Sequence, residues 1–373
     1  MKKIAILTNG GDAPGLNAVI RAIVKTAENN GIECYGFIEG YKGLLNNDYV
    51  KLDSAGNASG ILNRGGTIIG TSNNTNVFNL KTVNENGEVE YKDFSDKCVQ
   101  NIKDDGFECL FTLGGDGTQK SSRDFSLKGV NCIGIPKTID NDVAATDITF
   151  GYNTAVSVAT EALDRLHTTA EAHHRVMVLE VMGRYAGWIT LESAIAGGAD
   201  CALIPEIPYD INKVIEKINK RKARGKNFSV IVVSEGAREK DGTITIKKTL
   251  DEGKGLDNIR LGGSGEKLAG MIEELTGIQS RATVLGYVQR GGTPSAYDRV
   301  LSTKYGVKAV ELAMQGIFNV LVSYKNGQMT YVSLDEVVGK DAVVGAASSK
   351  NRVVGMDDPL IHTARQIGIC LGD

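Results

Sequence analysis

The chain has 373 residues, more than one ordinary hydrophobic core accommodates, so two domains are expected. Its 42% hydrophobic and 23% charged residues fit a globular protein in water, and a formal net charge of -3 argues against a nucleic-acid footprint or a surface for anionic membranes. No apolar run approaches the ~20 residues of a membrane span, and the basic start Met1-Lys2-Lys3 leads into an apolar run too short for a signal peptide, so a cytoplasmic location is expected. The six cysteines (Cys34, Cys98, Cys109, Cys132, Cys201 and Cys370) show no C-x-x-C spacing, and several lie in apolar runs; this pattern points to reduced thiols and away from disulfides or a zinc site.

In chain order, Ile4–Thr8 is an apolar run that empties into Asn9-Gly10-Gly11-Asp12-Ala13-Pro14-Gly15, after which Leu16, Val19, Ile20, Ile23 and Val24 keep helical spacing up to Ala27. The pattern predicts strand, glycine loop and helix, with backbone N–H groups at a helix N-terminus suited to an anion. The loop matches neither G-x-x-x-x-G-K-[ST] nor G-x-G-x-x-G, so a plain βα turn stays open as a reading. A second strand is expected over Ile32–Ile38, turned by Gly40-Tyr41-Lys42-Gly43. Arg64–Asn74 reads as a polar glycine loop and Phe94–Lys103 as a helix.

The stretch from Cys109 to Asp142 carries the densest chemistry. Two short apolar runs end in Gly114-Gly115-Asp116-Gly117-Thr118 and in Pro136-Lys137-Thr138-Ile139-Asp140-Asn141-Asp142, which predicts two neighbouring buried strands delivering Asp116, Asp140 and Asp142 to one edge of a sheet. Adjacent glycines let backbone amides approach a phosphate chain, and a carboxylate oxygen suits Mg²⁺. The alternative for the first block is a βα turn with Asp116 capping a helix from Gln119 to Phe125, and for the second a solvated polar loop.

Beyond it, strands and helices alternate: helix Thr154–Arg165, strand Arg175–Val181, helix Trp188–Ala196, strand Ala202–Ile204, helix Ile211–Arg221 and strand Ser229–Val233. The loop Met182-Gly183-Arg184-Tyr185-Ala186-Gly187 offers Arg184 as a phosphate fork. Gly236–Gly265 reads as a polar insertion with a hairpin around Asp241-Gly242. Then follow helix Ser264–Leu275, strand Thr283–Val288, loop Gln289–Pro294 and helix Ala296–Met314. The histidines His167, His173, His174 and His362 lack metal spacing, and the tail after Gly339 carries no chemical signal.

With these blocks in place, the sequence resembles the phosphofructokinase family over most of its length. Asn9–Asn17, Gly65–Thr71, Gly114–Thr118, Pro136–Asp142, Val181–Gly187, Ala194–Gly198 and Ala282–Pro294 look like that family's blocks in the family's order. G-G-D-G-T alone also fits NAD kinases and diacylglycerol kinases; T-I-D-N-D, M-G-R and Q-R-G-G separate them. The resemblance implies transfer of a phosphoryl group to the 1-hydroxyl of fructose 6-phosphate, a step of glycolysis. In that reading Asp140 is the general base with Asp142 beside it, and Asp116 holds Mg²⁺. Gly11, Thr138 and Arg184 steady the transferring group. The donor would lie along Gly11, Asn73, Gly115, Asp116, Gly117, Thr118 and Lys137. Met182, Gly183, Glu235, Tyr287 and Arg290, with Thr138, Asp140, Asp142 and Arg184, match substrate positions, and Arg175 and Arg281 match arginines that reach the 6-phosphate across a subunit boundary in a homodimer or homotetramer.

Asn73 stands where most ATP-using bacterial members have arginine, and Tyr287 where many have histidine. Pyrophosphate users of the family typically carry Asp after G-G-D and Lys before T-I-D-N-D, and ATP users Gly at both; this chain combines Gly117 with Lys137. A carboxylate at 117 would fill the space of a nucleotide's α-phosphate, whereas a lysine at 137 suits either donor, so ATP is the expected donor. Pyrophosphate-dependent transfer and a non-catalytic sugar-phosphate sensor are the alternatives. The expected fold is α/β, two Rossmann-like three-layer domains with the active site in the cleft between them: residues 1–151 with 289–338 for the donor, and 152–288 with 339–373 for the sugar phosphate.

Overall fold

Strands that lie in the middle of a parallel sheet are covered on both faces, so they read in sequence as unbroken apolar runs, and KIAILT and CLFTLG are of this kind. The structure, a computed structural model, describes residues 1–73, 75–249, 259–339 and 351–373. In chain order the first elements are β1 (Lys3–Thr8), α1 (Leu16–Asn29), β2 (Glu33–Phe37), α2 (Tyr41–Asn46), β3 (Tyr49–Leu52), β4 (Leu80–Val83), β5 (Val89–Lys92), α3 (Ser95–Asp104), β6 (Cys109–Gly114), α4 (Asp116–Leu127) and β7 (Cys132–Pro136). Next come α5 (Tyr152–His173), β8 (Val176–Val181), α6 (Trp188–Ala196), β9 (Cys201–Leu203), α7 (Ile211–Ala223), β10 (Ser229–Ser234), β11 (Ile246–Thr249), β12 (Ile259–Leu261), α8 (Ser264–Thr276) and β13 (Ser280–Val284). The last are α9 (Ala296–Met314), β14 (Val320–Lys325), β15 (Gln328–Ser333), α10 (Leu334–Val338) and α11 (Pro359–Gln366).

These elements form two compact units, Met1–Tyr152 with Arg290–Arg352, and Asn153–Thr249 with Ile259–Gln289 and Val353–Asp373. The expected limits fall after 151, 288 and 338; the third differs, because Arg352 bonds Asp142 O and Asn141 O and lies with the first unit. In the first unit seven strands run β15-β14-β7-β6-β1-β2-β3; the five inner strands are parallel and the two edges antiparallel. Alternation sorts their side chains. Ile4, Ile6, Phe111 and Ile133 share one core with α1 and α9, while Ala5, Leu7, Leu110 and Cys132 join the other with α3, α4 and α10. The result is a three-layer α/β unit.

In the second unit the parallel sheet runs β13-β8-β10-β9. Val176, Val178, Ile231 and Val233 bury one face against α7 and α8, and α6 packs on β10 and β9. All six cysteines are free thiols, five of them buried. Among the described residues no helix is long and apolar enough to cross a membrane.

Several expected elements shift. Gly40–Gly43 is the entry to the short helix α2, because Tyr41 and Leu44 are drawn into the core. The helix expected over Thr154–Arg165 extends through α5 to His173, and the one expected from Gln119 starts at Asp116. The strand expected over Thr283–Val288 is β13, three residues earlier; Gly286 (φ 51°) then turns the chain into a 3₁₀ turn over Gly286–Gln289. Asp241-Gly242 is a turn, and the antiparallel pair is β11 with β12, the segment joining them lying outside the described residues. The expected elements end at Met314, yet β14 and β15 follow, joined by Asn326-Gly327 at φ 50° and 81°. Asn-Gly between alternating apolar residues is a strong hairpin signal because both positions tolerate positive φ.

Candidate active site

In the first unit, three strand ends build the site. β1 empties into the Gly10–Gly15 loop, β6 into G-G-D-G-T and β7 into K-T-I-D-N-D; β6 pairs in parallel with both β1 and β7, so all three loops leave the same edge of the sheet. The register Gly114↔Pro136 brings the last two loops level, and Lys137 N–H donates to Gly114 O at 3.0 Å. A Cβ on Gly114 would fall 2.1 Å from Thr118 Oγ1, so this close first turn of α4 requires glycine there. Gly115 and Gly117 stay half-buried beside Asp116, and Thr118 is buried.

Lys137 is only 3% exposed, and its ammonium donates to Gly11 O. The Arg290 guanidinium lies against the same loop, Nη1 donating to Asp12 O at 3.2 Å, and a Cβ on Gly11 would sit 3.1 Å from it. Burial and then the Arg290 charge push the Lys137 ammonium down to about 7, while Asp140, Asp12 and Asp142 pull it back up. Asp142 moves the other way. Burial, followed by the charges of Asp140 and Asp116, pushes its carboxyl up to about 7. Asp140 is 4% exposed, and its Oδ1 is buried and accepts no hydrogen bond among the described residues.

The backbone around these acids is firmly held. Asp140 N–H donates to Thr138 Oγ1 at 3.0 Å, and Thr149 Oγ1 donates to Thr138 O at 2.8 Å. Asn141 adopts φ 55°, with its side-chain oxygen accepting the Thr149 N–H at 3.0 Å. Asp142 O accepts the Arg352 N–H at 2.8 Å. Asn73 is exposed, one residue beyond Ser72, whose carbonyl accepts the Gly10 N–H at 3.0 Å.

In the second unit, β8 and β10 are parallel neighbours, and their C-terminal ends bring together Met182, Gly183, Arg184 and Glu235. Met182 N–H donates to Gln289 Oε1 at 2.8 Å and Arg184 N–H to Glu235 Oε1 at 3.2 Å. Arg184 itself adopts φ 50°, and a Cβ on Gly236 would fall 1.9 Å from its carbonyl oxygen. Tyr287 follows β13 at this same end of the sheet and is 69% exposed. Arg175 and Arg281 sit at the other end. Arg175 precedes β8 and its Nε donates to Gln279 Oε1 at 3.0 Å, whereas Arg281 pairs with Glu273 at 2.9 Å. Six residues of strand separate Arg175 from Val181, about 20 Å, so these two arginines do not join Met182 and Arg184 within the unit.

A family model described as Phosphofructokinase matches residues 3–313. The chain belongs to the phosphofructokinase family. It is 56% identical to ATP-dependent 6-phosphofructokinase 2 of Clostridium perfringens, with 100% of this chain and 99% of that protein covered. It is 46% identical to the ATP-dependent 6-phosphofructokinase of Chloroflexus aggregans, with 100% and 98% covered. Among solved structures, the phosphofructokinase of Pichia pastoris in the T-state matches with TM-score 0.75 and 30% identity over 90% of this chain; the match spans 35% of the Pichia chain.

Three residues, two of them in the phosphofructokinase blocks, have structural roles that the sequence pattern did not single out. Buried Gln289 fixes the Met182 amide, Thr149 clamps the T-I-D-N-D turn twice, and Asn141 supplies its left-handed residue. Only Asn141 left a signal, since asparagine tolerates positive φ where other side chains do not. Among the described residues no three His, Cys, Asp or Glu side chains enclose a metal by themselves.

Proposed function

We propose that this chain transfers the γ-phosphoryl group of ATP to the 1-hydroxyl of fructose 6-phosphate, giving fructose 1,6-bisphosphate and ADP. The observation that carries the chemistry is the meeting of Asp116, Asp140 and Asp142 with Lys137 and the Gly11 loop at one sheet edge. Full-length identity to proteins named ATP-dependent 6-phosphofructokinase carries the choice of substrate and donor.

Asp140 takes the hydroxyl proton, its buried Oδ1 being left without a hydrogen bond in the described structure. Asp142, beside it, keeps that carboxylate pair from carrying two full charges at neutral pH. Gly11 N–H, Thr138 and Arg184 hold the charge that spreads over the transferring group, which is positioning and electrostatics more than covalent chemistry. The Gly114–Thr118 turn and Lys137 hold the donor; Gly117 leaves it room for an α-phosphate. Met182, Gly183, Glu235, Tyr287 and Arg290 hold the sugar.

Mg²⁺ prefers oxygen ligands and usually takes one or two carboxylates, with water and substrate phosphates completing its shell. The donor set fits: Asp116 opens α4 behind two glycines, and no closed protein cage is present among the described residues. When bound, the ion neutralises donor phosphate charge. Arg175 and Arg281 bind the 6-phosphate of a neighbouring copy in a homo-oligomer on this reading, which is supported by their lying at the far end of their sheet from Met182 and Arg184.

The test is formation of fructose 1,6-bisphosphate with Mg²⁺ and either ATP or pyrophosphate at matched concentrations. ATP turnover with pyrophosphate silent is the expected result. Pyrophosphate turnover would mean that Lys137 and Asn73 outweigh Gly117, and tight sugar-phosphate binding with neither donor active would make the chain a sensor.

A further inference from the structure

The C-terminal tail closes the open edge of the second unit's sheet. β9 is the outermost strand there, and Cys370 lies along it: Cys370 N–H donates to Asp200 O at 2.9 Å and Cys370 O accepts the Ala202 N–H at 2.9 Å. These two bonds bracket Cys201 and make Cys201↔Cys370 a parallel β-bridge. Bridged residues present their side chains to the same face, and Cys370 packs against the apolar cluster that contains Cys201, its Sγ donating to Lys213 O at 3.8 Å. Adjacent strands lie about 4.8 Å apart, inside the roughly 4.4–6.8 Å Cα separation that a disulfide spans.

We propose that Cys201 and Cys370 are a redox pair, a thiol clasp that peroxide converts to a disulfide pinning the C-terminal tail to β9. The two cysteines divide the work. Cys370 is half-buried and reachable, whereas Cys201 is fully buried and shielded until Cys370 has reacted. The Cys370 thiol is lowered to about 6, first by the Cys201 thiol beside it, then by the Gly372 amide and the Lys217 charge, which favours the reactive thiolate. Cys201, by contrast, is held far above the usual thiol range by the neighbouring Cys370 thiol and by burial.

The chemistry balances with hydrogen peroxide as the oxidant. Cys370 thiolate attacks one peroxide oxygen; the O–O bond breaks, hydroxide leaves and Cys370 becomes a sulfenic acid. Cys201 sulfur then attacks that sulfur, the S–S bond forms, the S–O bond breaks, and the departing hydroxide takes the Cys201 proton as water. Two electrons pass from the thiols to peroxide, and a dithiol restores the pair. What the bond would pin is already anchored at several points. Asp210 N–H donates to Gly372 O at 2.7 Å, Lys217 Nζ to Gly368 O at 2.6 Å, and Val354 N–H to Glu206 Oε1 at 2.9 Å, the same oxygen that accepts the Gly187 N–H at the end of the Arg184 loop. The clasp therefore lies on a segment tied to the substrate loop.

The experiment treats the full-length reduced protein with a small excess of hydrogen peroxide, blocks free thiols and maps peptides without reductant. The expected product is one cross-linked pair joining the peptides of Cys201 and Cys370, reversed by dithiothreitol. C370S gives no cross-link. C201S instead leaves Cys370 as a sulfenic acid that dimedone traps, a result that also reports on Cys370 if C370S were to fold poorly. Wild-type Cys370 accumulating as trapped sulfenic or sulfinic acid without the cross-link, or resisting peroxide altogether, overturns the proposal.

Discussion

Replacing Lys137 by methionine keeps most of the length of the side chain and removes its charge, and the structure sets both the sign and the size of the result. Lys137 is buried, its ammonium on Gly11 O, with Arg290 over the same loop. Its folded-state value near 7 lies below the ordinary lysine value of 10.5. Between these limits the unfolded chain binds a proton that the folded chain rejects, so wild-type stability falls as pH drops through the window and levels off below about 7. Each pH unit inside the window is worth about 1.4 kcal/mol, so from about pH 9.5 to about pH 7.5 wild type loses on the order of 2 to 3 kcal/mol that K137M does not lose.

Thermal unfolding at the two pH values reads this directly: the Tm of K137M minus that of wild type should be larger at the lower pH. The same charge has a use. An incoming polyphosphate favours the ammonium form, so donor binding to wild type takes up a proton, which calorimetry in buffers of different ionisation enthalpy measures. K137M should lose that uptake, and its donor KM should rise about 10- to 100-fold, the worth of a charge-assisted hydrogen bond. A Tm difference that is flat with pH, together with unchanged proton uptake, would refute the reasoning.

Three further outcomes follow from particular contacts. Asp140→Asn should lower kcat by about 10²- to 10⁴-fold while leaving both KM values nearly unchanged, since it removes a proton acceptor and little volume; a comparable rise in KM would assign Asp140 to binding. Gly236→Ala sets a methyl group 1.9 Å from Arg184 O, so the loop must move. The KM for fructose 6-phosphate should rise more than that for ATP, and equal changes would count against the assignment of this loop to the sugar. Asp358→Ala removes the cap of α11, whose carboxylate accepts the Leu360 N–H at 2.9 Å; it should cost about 1 kcal/mol in unfolding, with kcat intact.

How much of this was legible depended on whether a signal was local. α6 and α9 match their expected limits at both ends, since Gly187 and Ser295 mark the starts and the flanking loops are glycine- or proline-rich. The acids were legible because an apolar run ending in glycine and carboxylates forces a strand to discharge them at its end. β3 and the β4–β5 pair were not, being largely exposed or half-buried strands of only four residues, too short for a period to show; β4 and β5 still carry their turn signal in Asn86-Gly87. The tail was illegible for a different reason. Its partners, Asp200, Glu206, Asp210 and Lys217, lie more than a hundred residues upstream, and no local pattern in Asn351–Asp373 names them.

The acids and the lysine would be poor residues to bury if stability were the only demand. A buried lysine near 7 and a carboxyl raised to about 7 each mark a charged form that the fold disfavours at neutral pH. Asn141 and Arg184, two non-glycine residues at φ 55° and 50°, add backbone strain on the order of 1 kcal/mol each. What opposes these costs is hydrogen bonding to fixed backbone: Thr149 on both sides of the T-I-D-N-D turn, Arg352 on Asp142 O, and Glu235 on the Arg184 amide. Thr149 Oγ1, the Arg352 amide and Glu235 each hold a main-chain atom of the turn they brace, and in the proposed reaction the Asp140 carboxylate is left to take the hydroxyl proton. Preorganisation of this kind is what phosphoryl transfer asks of a protein, because the reaction gains from charges already in place and loses when they must be assembled at each turnover.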